Sequence, residues 1–149
     1  MSVALPDVNV LIALLDPAHP GHDDAHVWFS KQRRKGWATC PITLNGCVRV
    51  MSGPAYLTVE ATPAQVIGHL SRLCSARDHH FWQDSLAIVD PGVFVPELIG
   101  GHGKVTDAYL LAIAVRNGGR LATFDRSIPV KAVVGAESHH LELLGARVS

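Results

Sequence analysis

Val3-Ala4-Leu5 is a short apolar run that Pro6-Asp7 ends, and Val8, Val10, Leu11, Ile12, Leu14 and Leu15 then follow with too little polarity for a surface element. The pattern predicts a buried strand feeding a buried helix. Gly21-His22-Asp23-Asp24 opens a second helix with Ala25, Trp28 and Phe29 on one side, and Gly36 ends it after a basic run. Trp37 to Cys40 reads as a short strand stopped by Pro41. Thr43 is suited to cap a helix carrying Leu44, Cys47, Val48 and Met51, which Gly53-Pro54 closes. Thr62-Pro63 supplies an N-cap and first-turn proline, after which Val66, Ile67, Leu70, Leu73 and Cys74 keep one apolar helical face.

Further on, Leu86-Ala87-Ile88-Val89 reads as a strand, and the loop Gly100-Gly101-His102-Gly103 leads into Val105 to Val115. That segment is apolar nearly all round and is closed by Asn117-Gly118-Gly119, which makes it a central helix. Leu121-Ala122-Thr123-Phe124 is a core strand stopped at Asp125, and a last apolar run lies at Leu141 to Leu144. Strands alternating with helices, without repeats or linkers, predict a three-layer α/β/α domain over residues 1–149 with a mostly parallel central sheet.

With 149 residues, 48% of them hydrophobic and 17% charged, the chain suits one globular domain. Such a length buries roughly two thirds of the surface of its unfolded form, so neither disulfide nor structural metal is needed to hold a core. The formal net charge is zero, so any affinity for nucleic acid has to come from local patches. The one dense basic run, Lys31, Arg33, Arg34 and Lys35, reads as a solvated helix end. Cys40, Cys47 and Cys74 are odd in number and lack CxxC spacing, which favours reduced thiols in the cytoplasm and a role as small core residues. Neither a leader with a long apolar centre nor a window approaching 18 apolar residues is present, so a soluble intracellular protein is expected.

Three carboxylates change this picture. Asp7 and Asp125 each come directly after a strand, and Asp107 sits in the first turn of the central helix. Each has a structural explanation, as a turn residue or as an acid favoured by the helix dipole. In an open α/β sheet, however, loops and helix starts from distant sequence converge outside the carboxyl ends of the strands. Acids set beside strongly apolar segments are costly without a cation or partner, which together favours a metal site. An acid cluster without matching His or Cys suits magnesium, with manganese as the other candidate, and the chemistry that follows is phosphodiester hydrolysis.

Leu5-Pro6-Asp7-Val8-Asn9-Val10-Leu11-Ile12-Ala13-Leu14 resembles the opening of VapC-type PIN-domain toxins. Val105-Thr106-Asp107-Ala108-Tyr109-Leu110-Leu111-Ala112 and Gly118-Gly119-Arg120-Leu121-Ala122-Thr123-Phe124-Asp125-Arg126 resemble that family's later acidic segments. His19-Pro20-Gly21-His22 and Asn45-Gly46-Cys47-Val48-Arg49-Val50-Met51-Ser52-Gly53-Pro54 agree in order and spacing, so the likeness runs from Leu5 to about Arg126. The resemblance implies metal ligation by Asp7 and Asp107, catalysis by these two with Asp125, and support from Asn9 and Thr106. It also implies a homodimer that cleaves RNA and is held in check by a VapB-type antitoxin.

One departure stands out: the family usually carries a glutamate just before this Asn-Gly, where the chain has Leu44. A site short of one acid implies either a greater need for magnesium or a silent PIN module that only binds antitoxin or RNA. His19, His22 and His26 could share a helix face, yet no partner set completes a zinc motif, and His79-His80 and His139-His140 read as surface or hinge positions. Arg49, His102 and Lys104 are candidates for phosphate contacts near the acids, or for ordinary surface pairing. A haloacid-dehalogenase-like phosphotransferase would be expected to carry a second aspartate where this chain has Asn9.

Overall fold

In the computed structural model, which describes residues 2–145, five strands pair in parallel in the order β3-β2-β1-β4-β5. They are β1 (Ala4–Pro6), β2 (Trp37–Thr39), β3 (His79–Phe81), β4 (Arg120–Thr123) and β5 (Leu141–Leu143), joined by α1 (Val8–Leu15), α2 (His22–Gln32), α3 (Pro41–Met51), α4 (Pro63–Cys74) and α5 (Val105–Arg116). The expected α/β class and mostly parallel sheet are both present.

The pleat sorts the core into two layers. Ala4, Trp37 and Ala122 face α1 to α4, where Val10, Leu11, Phe29, Cys47 and Val66 are buried. Their neighbours Leu5, Ala38 and Leu121 face α5 on the other side. Residues Ala108 to Ala114 of α5 are all buried, as an element apolar all round requires. Where the chain enters β4 it must pass close to β1: a Cβ on Gly119 would lie 2.3 Å from the Val3 carbonyl oxygen.

The strand expected at Leu86–Val89 is not one. The third strand is His79–Phe81, at one edge of the sheet, which pairs with β2 through Trp37↔His79 and Thr39↔Phe81, while Val89 sits in a turn and is 84% exposed. Backbone pairing outweighs composition here, because an edge strand need not bury its side chains. Thr43 does not cap α3 either. Cys40 takes the N-cap position with Pro41 at the first turn, and Thr43 one turn in accepts the Cys40 N–H on its hydroxyl at 3.0 Å. The capping chemistry is as expected, but the helix begins earlier. Thr62 does cap α4, accepting the Gln65 N–H while the Gln65 side chain accepts the Thr62 N–H.

Among the described residues no helix is long and apolar enough to cross a membrane. Cys40 and Cys47 are buried free thiols and Cys74 is half-buried. Of the basic run, Lys31, Arg34 and Lys35 are exposed, while Arg33 pairs with Asp78 at 2.9 Å and lies over the Phe29 ring.

Candidate active site at the carboxyl end of the sheet

The chain runs outward from β1 through β2 to β3 on one side and from β4 to β5 on the other, so the strand order reverses between β1 and β4. Loops leave that point in opposite directions and open a crevice between them. Asp7 follows β1 and Asp125 lies just beyond β4, on the two sides of the reversal. Asp107, in the first turn of α5, joins them in a crevice of about 330 Å³ that Val8, Asn9, Ile12, Val50, Thr106 and Leu110 also line. All five residues singled out in the sequence, Asp7, Asn9, Thr106, Asp107 and Asp125, therefore meet at one place.

Asp7 is only 8% exposed. It is the N-cap of α1, its Oδ1 accepting the Val10 N–H at 2.9 Å. The Thr123 hydroxyl donates to its Oδ2 at 2.6 Å and accepts the Asp125 N–H at 3.0 Å, so one side chain links the two acids. Burial pushes the Asp7 carboxyl up to about 6 against those hydrogen bonds, and the charges of Asp107 and Asp125 add to the rise. Asp107 is likewise raised by burial and then by Asp125, with Lys104 opposing. Asp125 goes the other way: the Ser127 hydroxyl at 2.6 Å and N–H at 2.8 Å hold it below the usual carboxylate range, and Lys104 Nζ at 3.3 Å contributes. Lys104 also donates to the Ser127 hydroxyl.

A buried carboxylate and a half-buried one, both raised by desolvation, beside a third that stays ionised form a hard-oxygen donor set with too little positive charge to match it. That suits a divalent cation. Among the described residues no three His, Cys, Asp or Glu side chains are spaced to hold one ion together. An ion here would thus rest on one or two carboxylates, with water or substrate oxygens completing its shell, as magnesium favours.

Other candidates fall elsewhere. Leu44 packs on the apolar core and lines a groove between α3 and α4 with Val48, Arg49, Ile67 and Leu70. The contribution of α3 to the crevice is Val50. Neither Leu44 nor Arg49 belongs to the acidic site, so the residue at 44 does not set the number of acids there. His22 and His26 satisfy the carbonyls of Ala13 and Leu14 at the end of α1, at 2.7 and 2.9 Å. His79 is a half-buried strand residue bonded to the Thr39 hydroxyl at 2.7 Å. Sequence reasoning missed Thr123 and Ser127. Their one signal is a hydroxyl two residues on either side of Asp125, in Thr123-Phe124-Asp125-Arg126-Ser127.

A three-layer domain that gathers aspartates at the reversal point of a parallel sheet has the architecture of a PIN-type domain. Ribonuclease VapC44 of Mycobacterium tuberculosis is 46% identical to this chain over 141 residues, which span 95% of the chain and 99% of that protein. Ribonuclease VapC39 of the same organism is 42% identical over 89% of the chain and 95% of its own length, and Ribonuclease VapC38 is 40% identical over 85% and 87%. No family model matches the chain. With relatives this similar over nearly its whole length, the chain belongs to the VapC ribonuclease family of PIN-domain toxins.

Proposed function

We propose that the protein is a magnesium-dependent endoribonuclease, the toxin of a type II toxin–antitoxin pair, acting as a homodimer and restrained by a VapB-type antitoxin. The observation that carries this reading is the meeting of Asp7, buried at the end of β1, with Asp107 and Asp125 in one crevice. A fold holds acids in so costly an arrangement where a cation is to be bound.

Asp7 and Asp107 would hold the ion, with Thr123 and the Val10 N–H fixing the Asp7 oxygens. The chemistry that magnesium supplies when bound is activation of water and neutralisation of charge on the phosphodiester. Asp125, kept ionised by Ser127 and Lys104, is suited to orient the attacking water by accepting its hydrogen bond. Asn9 and Thr106 are the uncharged polar groups beside the acids. An antitoxin arginine entering the crevice would pair with the same carboxylates in place of the metal. Leu44, the one feature that favours a silent binding module, lies in the α3–α4 groove and takes no acid away from the crevice.

Brief induction in cells with mapping of RNA ends tests the reading. Wild type should stop growth and create new ends in a transfer, ribosomal or messenger RNA, and Asp107→Asn should do neither. Growth inhibition that persists in Asp107→Asn would show that catalysis at this crevice is not its cause.

A further inference from the structure

Asn9 is the amide on the crevice wall, and which end of it faces the crevice decides what it can bind. His19 fixes that choice. Its Nδ1 accepts the Gly21 N–H at 2.9 Å, so in the neutral ring the proton sits on Nε2. Nε2 lies 3.0 Å from Asn9 Oδ1 and therefore donates to it. The amide oxygen is thereby engaged, while Nδ2 makes no hydrogen bond among the described residues.

The imidazole is itself held firmly. It stacks against Phe124, the residue before Asp125, with centroids 6.1 Å apart and planes 21° from parallel. Gly21 allows this, since a Cβ there would fall 2.5 Å from the Phe124 ring. The His19 N–H donates to the Asp16 carbonyl at 3.1 Å. Asp16 is fully buried, and its carboxylate accepts the Ala18 N–H and the hydroxyls of Tyr56 and Thr58. Asn9 is thus oriented by a side chain braced on the same strand end that carries Asp125.

An amide whose oxygen is engaged offers N–H groups, which suit an acceptor and not a cation. The charged side chains that line the crevice are the carboxylates of Asp7, Asp107 and Asp125, which repel the phosphates of RNA. We propose that His19 is a positioning residue that holds Asn9 so that Nδ2 donates to a phosphate oxygen of the RNA substrate. This inference rests on the reading of the crevice as an RNA-cleaving site.

Replacing His19 by glutamine keeps a donor near Nε2, whereas asparagine keeps only an acceptor near Nδ1. Binding of a fluorescein-labelled single-stranded oligoribonucleotide is measured in the cleavage-deficient Asp107→Asn background, and KM and kcat are measured in the otherwise wild-type protein. Asn9→Ala should weaken RNA binding by about tenfold, the scale of a hydrogen bond to a charged group. His19→Asn should match it, His19→Gln should restore most of the affinity, and the double variant Asn9→Ala/His19→Ala should bind no worse than Asn9→Ala alone. The losses should appear in KM more than in kcat. If His19→Asn retains binding while His19→Gln loses it, or if the two losses add, the positioning role is overturned while the nuclease reading stands. If the unmodified protein neither binds nor cleaves RNA, both fall together.

Discussion

Replacing Asp7 by asparagine should make the metal-free protein more stable at neutral pH, even though Asp7 caps a helix and accepts two hydrogen bonds. The carboxyl rises from 3.8 to about 6 on folding. Between those values the folded protein holds a proton that the unfolded chain has released, so stability falls as pH rises and the loss is complete above about pH 7. A shift of that size corresponds to about 3 kcal/mol at neutral pH and about half of that near pH 5. Asparagine keeps an acceptor for the Val10 N–H and carries no charge. Urea unfolding in EDTA, followed by tryptophan fluorescence, should therefore place Asp7→Asn about 2–3 kcal/mol above wild type near pH 7.5. The gap should close towards pH 3.5. Magnesium should then raise wild type and leave the variant unmoved, narrowing the difference from the other side. A variant less stable than wild type in EDTA at neutral pH would show the opposite, that the ionised carboxyl is a structural asset.

Three further outcomes follow from the same geometry. Leu44→Glu should leave the magnesium midpoint of RNA cleavage within about twofold of wild type, since a side chain at 44 faces the α3–α4 groove; a clear fall in that midpoint would bring position 44 into the crevice. Gly21→Ala should lower stability by about 1–3 kcal/mol in thermal unfolding, because its Cβ would press on the Phe124 ring, and an unchanged Tm would mean that the ring has room to move. Ser127→Ala should raise the Asp125 carboxyl, since the Ser127 hydroxyl is foremost in holding it down, and a carboxyl-carbon NMR titration that shows no movement would contradict that cause.

The elements legible in the sequence were those whose burial writes itself into composition. Residues Ala108 to Ala114 are buried all round and Val66 and Leu70 line one face, so α5 and α4 were plain from apolar spacing. β3 was not, because an edge strand is held by its backbone and leaves Phe81 54% exposed. Leu86–Val89 misled for the converse reason: these apolar residues belong to loop and turn, where the Leu86 carbonyl accepts the Tyr109 hydroxyl. The acids of the site could be read from their places after strands and at a helix start. Their supporting groups could not, because Thr123 serves Asp7 across 116 positions of chain and His19 reaches Asn9 from a neighbouring loop. Such pairings exist only once the sheet has set the register of β1 against β4.

The decisive measurement is cleavage of RNA by the purified protein, with magnesium supplied, with EDTA in its place, and with Asp107→Asn alongside wild type. Wild type with magnesium should give endonucleolytic products, and the RNA should stay intact under the other two conditions. Cleavage that is equal in EDTA, or that Asp107→Asn retains in full, would contradict metal-dependent cleavage at this crevice.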